Sequence, residues 1–324
     1  MQFISGKLFR LARKEAAIVF VLLISLAALS YLYFYGFLTK PQIVFLNLVF
    51  SLLFLARLVK LFSPTLSPNY QSAAMALHAF IIDIFFQTYI FLFLTPLCLI
   101  ASRRMYCKGS GTPLLLVHGY LHSALVWIYY MSTWKRAGFG PIYTLCLGFP
   151  FSSIKTYAKK LSLKAEEIRK ETGEKELILI GHSMGGLISA YYAIEMAEAG
   201  SIKQVITIGA PLHGTRVASI ALGKCAQEMR VHSPFTETLR KSIARAKGIS
   251  FYNIGTKSDQ LVIPYTSCFV VDDPKRMLLL EGIGHARLLF SKEISQQIVE
   301  WLRPFSNRKS SSQKQKSRSK SSLS

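Results

Sequence analysis

Nowhere in this chain do two cysteines stand close enough together to suggest a shared metal or a tight disulfide loop. The five, Cys98, Cys107, Cys146, Cys225 and Cys268, are scattered and odd in number, with no CxxC pair among them. That spacing excludes a zinc ribbon and a disulfide framework, and it reads as free thiols in a reducing compartment. Acid is scarce as well: Asp and Glu total 17 against 39 Lys and Arg, for a formal net charge of +22. An anionic partner follows from that balance. There is no zinc-ligand spacing, RNP-like motif or heptad-linked basic helix, so no specific nucleic-acid partner is expected. An anionic membrane surface is the expected partner instead, each Lys or Arg near it contributing about 1 kcal/mol.

Charge is also absent locally, in long runs near the amino end. Residues 1–104 hold nine basic and two acidic side chains, and they include uncharged stretches at Ala16–Thr39 and Ile84–Ser102. The first has 24 residues and the second 19, against the roughly 20 needed to cross a bilayer core as a helix. Between them Pro41–Ala56 is shorter; it either extends past Arg57 and Lys60 by snorkelling or is re-entrant. The apolar segments are therefore set at 16–39, 41–62 and 80–102, as two to three transmembrane helices or a hairpin anchor. A cleaved signal peptide also fits the basic lead and the small residues Ala27 and Ala28, but two further apolar runs argue against simple secretion. Basic residues flank both ends (Lys7 to Lys14, then Arg103, Arg104 and Lys108), so the positive-inside rule puts both on the cytoplasmic side. A three-span arrangement would put the rest of the chain on the other face.

From residue 105 to 306 the texture changes to short aliphatic runs alternating with amphipathic stretches. Strands are predicted at Pro113–Val117, Ile142–Cys146, Glu176–Ile180, Gln204–Ile208, Phe251–Ile254 and Met277–Leu280. Helices are predicted at Ser123–Ala137, Ser153–Thr172, Gly186–Ala199 and Lys292–Leu302. This alternation gives an α/β class with a mostly parallel sheet covered on both faces. Residues 211–248 break it with a basic, helical insertion of cap-like character. Residues 307–324 are a Ser/Lys tail with six basic side chains and no acid, a composition expected to stay disordered.

Chemistry is concentrated at the ends of the predicted strands. Gly181-His182-Ser183-Met184-Gly185 fits G-x-S-x-G between a strand and a helix, with Gly186 following. A sharp strand-to-helix turn leaves the central residue projecting, and its neighbours two positions away must lack side chains. Ser183 is therefore the candidate nucleophile, and it needs a base with an orienting acid. Of seven histidines, His78 lies in the apolar region, and His118 and His182 sit in tight turns where they shape backbone. His122, His213 and His232 precede every candidate acid. His285 follows the last strand, where the order Ser…Asp…His puts the base. The acid is Asp259, with Asp272, Asp273 and Glu281 as alternatives. Backbone N–H groups of Met184 and Tyr120 are the candidate oxyanion donors, the second carried by the His118-Gly119 turn.

With those residues in place, residues from about 111 to 303 resemble the lipase/esterase branch of the α/β-hydrolase superfamily. The resemblance is carried by "PLLLVHGY", "LIGHSMGGLISAYY", "IGAPLHGTRVA", "DQLVIP" and "GIGHARLLF". It implies an α/β-hydrolase fold and ester hydrolysis through an acyl-enzyme on Ser183, with no metal or cofactor. In that family the acid commonly heads a D-x-x-V-x-P segment, which favours Asp259, with Val262 and Pro264 following it. The expected substrate is a lipid-like ester with an apolar acyl chain. Acyl transfer or thioester cleavage uses the same triad, and a non-catalytic membrane scaffold with a basic tail is the reading from a different class.

Overall fold

The computed structural model describes residues 77–83, 85–86, 106–109, 111–148 and 150–305. The apolar segments 16–39 and 41–62, most of 80–102 and the tail 307–324 lie outside them. Among the described residues no helix is long and apolar enough to cross a membrane. The chain divides into two units, residues 1–88 with 282–284 and residues 89–281 with 285–324. In the first, residues 77–83 are helical.

Among the described residues the second unit is built on seven strands: β1 (Tyr106–Cys107), β2 (Leu114–Val117), β3 (Ile142–Leu145), β4 (Leu177–His182), β5 (Ile202–Ile208), β6 (Ser250–Thr256) and β7 (Met277–Leu280). Their order across the sheet is β1-β3-β2-β4-β5-β6-β7. Only β1 runs antiparallel to its neighbour. Every residue of β2, β3 and β4 is buried, which is why these read as unbroken aliphatic runs: a central parallel strand is covered on both faces.

The helices are α1 (Ile128–Arg136), α2 (Ile154–Thr172), α3 (Met184–Glu195), α4 (Lys224–Glu228), α5 (Pro234–Arg245) and α6 (Lys292–Leu302). In α2, Ile154, Tyr157, Ala158, Leu161, Ala165 and Ile168 form the buried stripe, at the spacing of one helical face. Ser153 caps its start through the Thr156 N–H, and Gly173 ends it at a φ of 73°, a left-handed conformation that glycine adopts without strain. The α2 and α3 side chains share a core with Leu115 and Val117 of β2 and Leu177 and Leu179 of β4. Elsewhere α1 meets α6, with Trp134 Nε1 donating to Ser295 Oγ at 3.1 Å.

Register is what positions the site. Val117 of β2 pairs with Gly181 of β4, and His182 of β4 pairs with Ile208 of β5. These strands therefore end together, and the turns that follow them emerge side by side at the carboxyl edge, the edge where open α/β sheets collect their ligands. Three details differ from the sequence reading. The two-residue β1 was not anticipated, the stretch 123–137 begins as a 3₁₀ turn at Ala124–Trp127 before α1, and α3 starts at Met184. The insertion at 211–248 divides in two. Its second half, α5, lays Leu239 and Ile243 into the core beside α3, while its first half crosses the carboxyl edge.

Candidate active site

Ser183 closes β4 and caps α3 with φ 53° and ψ −126°. A non-glycine residue at positive φ is costly and persists only where the surroundings enforce it. Here the surroundings are backbone. A Cβ added at Gly181 would run into the Gly185 carbonyl, one at Gly185 into the Val117 carbonyl, and one at Gly186 into the Ala210 methyl. The first turn of α3 thus sits directly on the ends of β2 and β5, and only glycines permit it. The Ser183 N–H donates to Ile208 O at 2.9 Å, fixing the turn to β5.

His285 and Asp259 form a buried acid–base pair. His285 Nδ1 lies 2.9 Å from Asp259 Oδ2, with the two side chains 1% and 0% exposed. A carboxylate accepts, so Nδ1–H donates and Nε2 keeps the basic lone pair. The second carboxylate oxygen accepts the backbone N–H of Leu261 at 2.8 Å and of Val262 at 2.7 Å. Asp259 is thereby held by three donors in one orientation. Two of the alternative acids are engaged elsewhere: Asp273 pairs with Arg276 at 2.7 Å and Glu281 with Lys257 at 3.5 Å.

Two links bring this pair to Ser183. A Cβ at Gly209, one residue past the carbonyl that accepts from Ser183, would stand 3.2 Å from His285 Cε1 and 3.3 Å from its Nδ1. The end of β5 therefore touches the Ser183 backbone and the His285 imidazole alike. His182, beside Ser183, also donates from Nε2 to the His285 carbonyl at 3.3 Å. On the far side of the chain, Tyr130 Oη donates to the Leu288 carbonyl and pins the turn that His285 opens.

The His118-Gly119-Tyr120 turn leaves β2 beside this assembly. A Cβ at Gly119 would lie 2.9 Å from Ser183 Cβ, so the loop backbone passes against Ser183. Met184 is the first residue of α3, and the first N–H groups of a helix have no partner within it. His118, His122 and His182 are all buried. Burial lowers the His118 pKa to about 4. Burial, followed by the positive potential of His118, lowers His122 to about 3. Burial and then His285 push His182 well down. His122 stacks on His182 with ring centres 5.5 Å apart and planes 7° from parallel, a contact that the sequence reading missed.

A strap from Thr215 to Gly223 runs between the Asp259 loop and the His118-Gly119-Tyr120 turn. Thr215 Oγ1 donates to Leu261 O at 2.7 Å and accepts from Ile263 N at 3.0 Å, tying one end to the Asp259 loop. Tyr120 Oη donates to Leu222 O at 2.8 Å, tying the other end to the His118-Gly119-Tyr120 turn. Ile220 and Leu222 on the strap are 86% and 69% exposed, and Leu261 and Ile263 beside it are also exposed. A separate cavity of about 500 Å³ is lined by Lys155, Tyr191, Lys224, Phe235 and Leu239, and its lining includes none of Ser183, Asp259 and His285. Among the described residues no group of three His, Cys, Asp or Glu side chains could hold a metal.

Residues 112–224 match a family model described as the alpha/beta hydrolase fold. Among the solved structures similar to this chain is a Bacillus licheniformis lipase in its mature form, at 15% identity and a TM-score of 0.48, covering 62% of this chain and 97% of that one. A bromoperoxidase from Bacillus anthracis is similar at 17% identity and a TM-score of 0.49, covering 62% and 95% of the two chains. Aspergillus fumigatus lipase B is similar at 16% identity and a TM-score of 0.47, over 55% of this chain and 49% of that one. The mostly parallel seven-stranded sheet, its helices and the match to the family model identify the second unit as an α/β-hydrolase fold.

Proposed function

We propose that the protein is a membrane-anchored serine hydrolase of the lipase/esterase type, cleaving carboxylic esters of apolar acyl chains through an acyl-enzyme on Ser183. The observation that carries this reading is the buried His285–Asp259 pair beside a strained serine at the strand end. Ser183 Oγ attacks the ester carbonyl while His285 Nε2 takes the hydroxyl proton. Asp259 stabilises the imidazolium and holds it in the tautomer that the attack requires. The carbonyl oxygen becomes an anion facing the N–H groups of Tyr120 and Met184, each such donor contributing about 3 to 4 kcal/mol. Collapse breaks the C–O bond, and the proton on His285 leaves with the alcohol. Water then attacks the acyl-enzyme with its proton passing to His285, and the acid departs as Ser183 recovers its hydroxyl.

Exposed side chains near the site support a substrate class. Exposed aliphatic side chains on the strap favour an ester whose acyl chain lies along them, and the uncharged runs at 16–39 and 84–102 support anchoring beside such lipids. The test is labelling with a fluorophosphonate, paired with p-nitrophenyl esters from acetate to palmitate. Wild type should be labelled and should prefer long chains, and Ser183→Ala should do neither. A folded wild-type protein that resists labelling would sink the hydrolase reading. A preference for acetate would sink the lipid substrate alone.

A further inference from the structure

Gly119 and Tyr120 share one peptide group, and in a trans peptide the carbonyl and the N–H point to opposite sides. Whatever holds the Gly119 oxygen therefore also sets the direction of the Tyr120 N–H. Two donors converge on that oxygen: His118 Nδ1 at 2.9 Å and the His122 backbone N–H at 3.3 Å. A carbonyl only accepts, so His118 carries its proton on Nδ1. Its Nε2 then has a lone pair, and it accepts the Leu147 N–H at 3.2 Å, two residues past the end of β3. One neutral tautomer satisfies both partners. The other tautomer and the imidazolium each leave a donor facing a donor. Burial keeps the ring neutral.

We propose that His118 is a positioning residue, clamping the Gly119–Tyr120 peptide so that its N–H is presented on the Ser183 side as an oxyanion donor. The clamp acts on a backbone that passes against the nucleophile: a Cβ at Gly119 would be 2.9 Å from Ser183 Cβ. A peptide turned the other way would put a carbonyl oxygen where the developing anion has to sit. Leu147 gives the ring a fixed base on the sheet, so the turn is held by β3 as well as by β2. The proposal rests on the reading of Ser183 as an acyl-transfer nucleophile.

Two substitutions separate the two bonds. In His118→Asn the side-chain amide nitrogen takes the place of Nδ1 and still donates to Gly119 O. In His118→Gln the amide oxygen takes the place of Nε2, accepts from Leu147, and leaves Gly119 O to His122 alone. Each full-length variant is assayed on a soluble p-nitrophenyl ester and titrated with a trifluoromethyl ketone, whose adduct with Ser183 carries an oxyanion. His118→Gln should lose about 100-fold in kcat at unchanged KM, the scale of one oxyanion donor, with ketone affinity falling in parallel. His118→Asn should retain both within about fivefold, by keeping that donor. Equal losses in the two variants, no loss in either, or a loss confined to KM would overturn the clamp. If His118→Gln does not fold, a 100-fold loss of kcat in folded His118→Asn overturns it equally. An inert wild type removes the hydrolase reading, and the clamp with it. An active wild type with inseparable variants removes the clamp alone.

Discussion

His182 donates from Nε2 to the carbonyl oxygen of His285 at 3.3 Å, so the residue before the candidate nucleophile holds the backbone of the candidate base. The strands that deliver them, β4 and β7, are separated in the sheet by β5 and β6. A base on a loop that far across the sheet needs a tie, and this bond supplies one in a buried setting. His182→Phe keeps the ring's bulk and removes the donor, leaving a buried carbonyl without it at a cost of about 1 to 3 kcal/mol. The expected result is a fall of about tenfold in kcat/KM on a soluble ester, about 1.4 kcal/mol in transition-state binding, with fluorophosphonate labelling slowed to match. Wild-type rates in a folded His182→Phe would show that the tie is not needed.

Asp259→Asn tests whether this carboxylate orients His285, without changing its shape. The amide oxygen can keep the Leu261 and Val262 N–H groups, but the amide nitrogen then faces His285 Nδ1 and demands the wrong tautomer. The kcat should fall by roughly 10⁴-fold, the loss found when a triad aspartate becomes an amide, while the melting temperature stays near wild type. Asp273→Asn, whose carboxylate is occupied by Arg276, should leave kcat unchanged. The reverse pattern would transfer the acid's role to Asp273.

The central strands were legible because burial on both faces demands unbroken aliphatic runs such as "LLLV" and "LILI". The two residues of β1 carry no period at all, and their pairing with Tyr143 and Ile142 is a tertiary fact. The 3₁₀ turn at Ala124–Trp127 was read as helix because one turn is too short to separate a period of 3.0 from 3.6. The glycines of the elbow were readable because their need is local. Sequence order leaves Asp259, Asp272, Asp273 and Glu281 open as partners for His285, and only the fold brings one carboxylate to the ring. The His122–His182 stack was invisible for a similar reason: it depends on β2 and β4 ending in register, Val117 opposite Gly181. Nor does spacing reveal that Thr215 would fasten itself to Leu261 and Ile263.

The buried histidines make stability depend on acid in a definite direction. His118 has a folded pKa of about 4 and His122 of about 3, both below the usual value of about 6.5. Between roughly pH 6.5 and 4 the unfolded chain takes up protons that the folded chain refuses, so stability rises with pH through that window. It is lost as pH falls from 6.5 toward those folded values, on the order of 3 kcal/mol for His118 alone at about 1.4 kcal/mol per unit. Urea midpoints at pH 7, 5.5 and 4.5 should decline in that order, and His122→Asn should decline less steeply. Midpoints independent of pH over this range would contradict the burial of neutral imidazoles.

The strap offers a test that divides substrate class from chemistry. Ile220 and Leu222 are too exposed to contribute much to the core, and their backbone is tied at one end to the acid loop and at the other to Tyr120. Replacing both with Ser removes apolar surface from the strap and leaves those ties in place. A long acyl chain lying along the strap loses that contact, whereas an acetyl group is too short to reach it. Burying an aliphatic side chain contributes about 1.5 to 3 kcal/mol. Even a partial contact at each position then amounts to a loss of about tenfold to 100-fold in kcat/KM for palmitate esters, at about 1.4 kcal/mol per factor of ten. Turnover of p-nitrophenyl acetate should stay at the wild-type rate, because the groups around Ser183 are untouched. Equal losses on both esters would mean that the strap supports the site itself. No loss on either would mean that the acyl chain takes another path from Ser183.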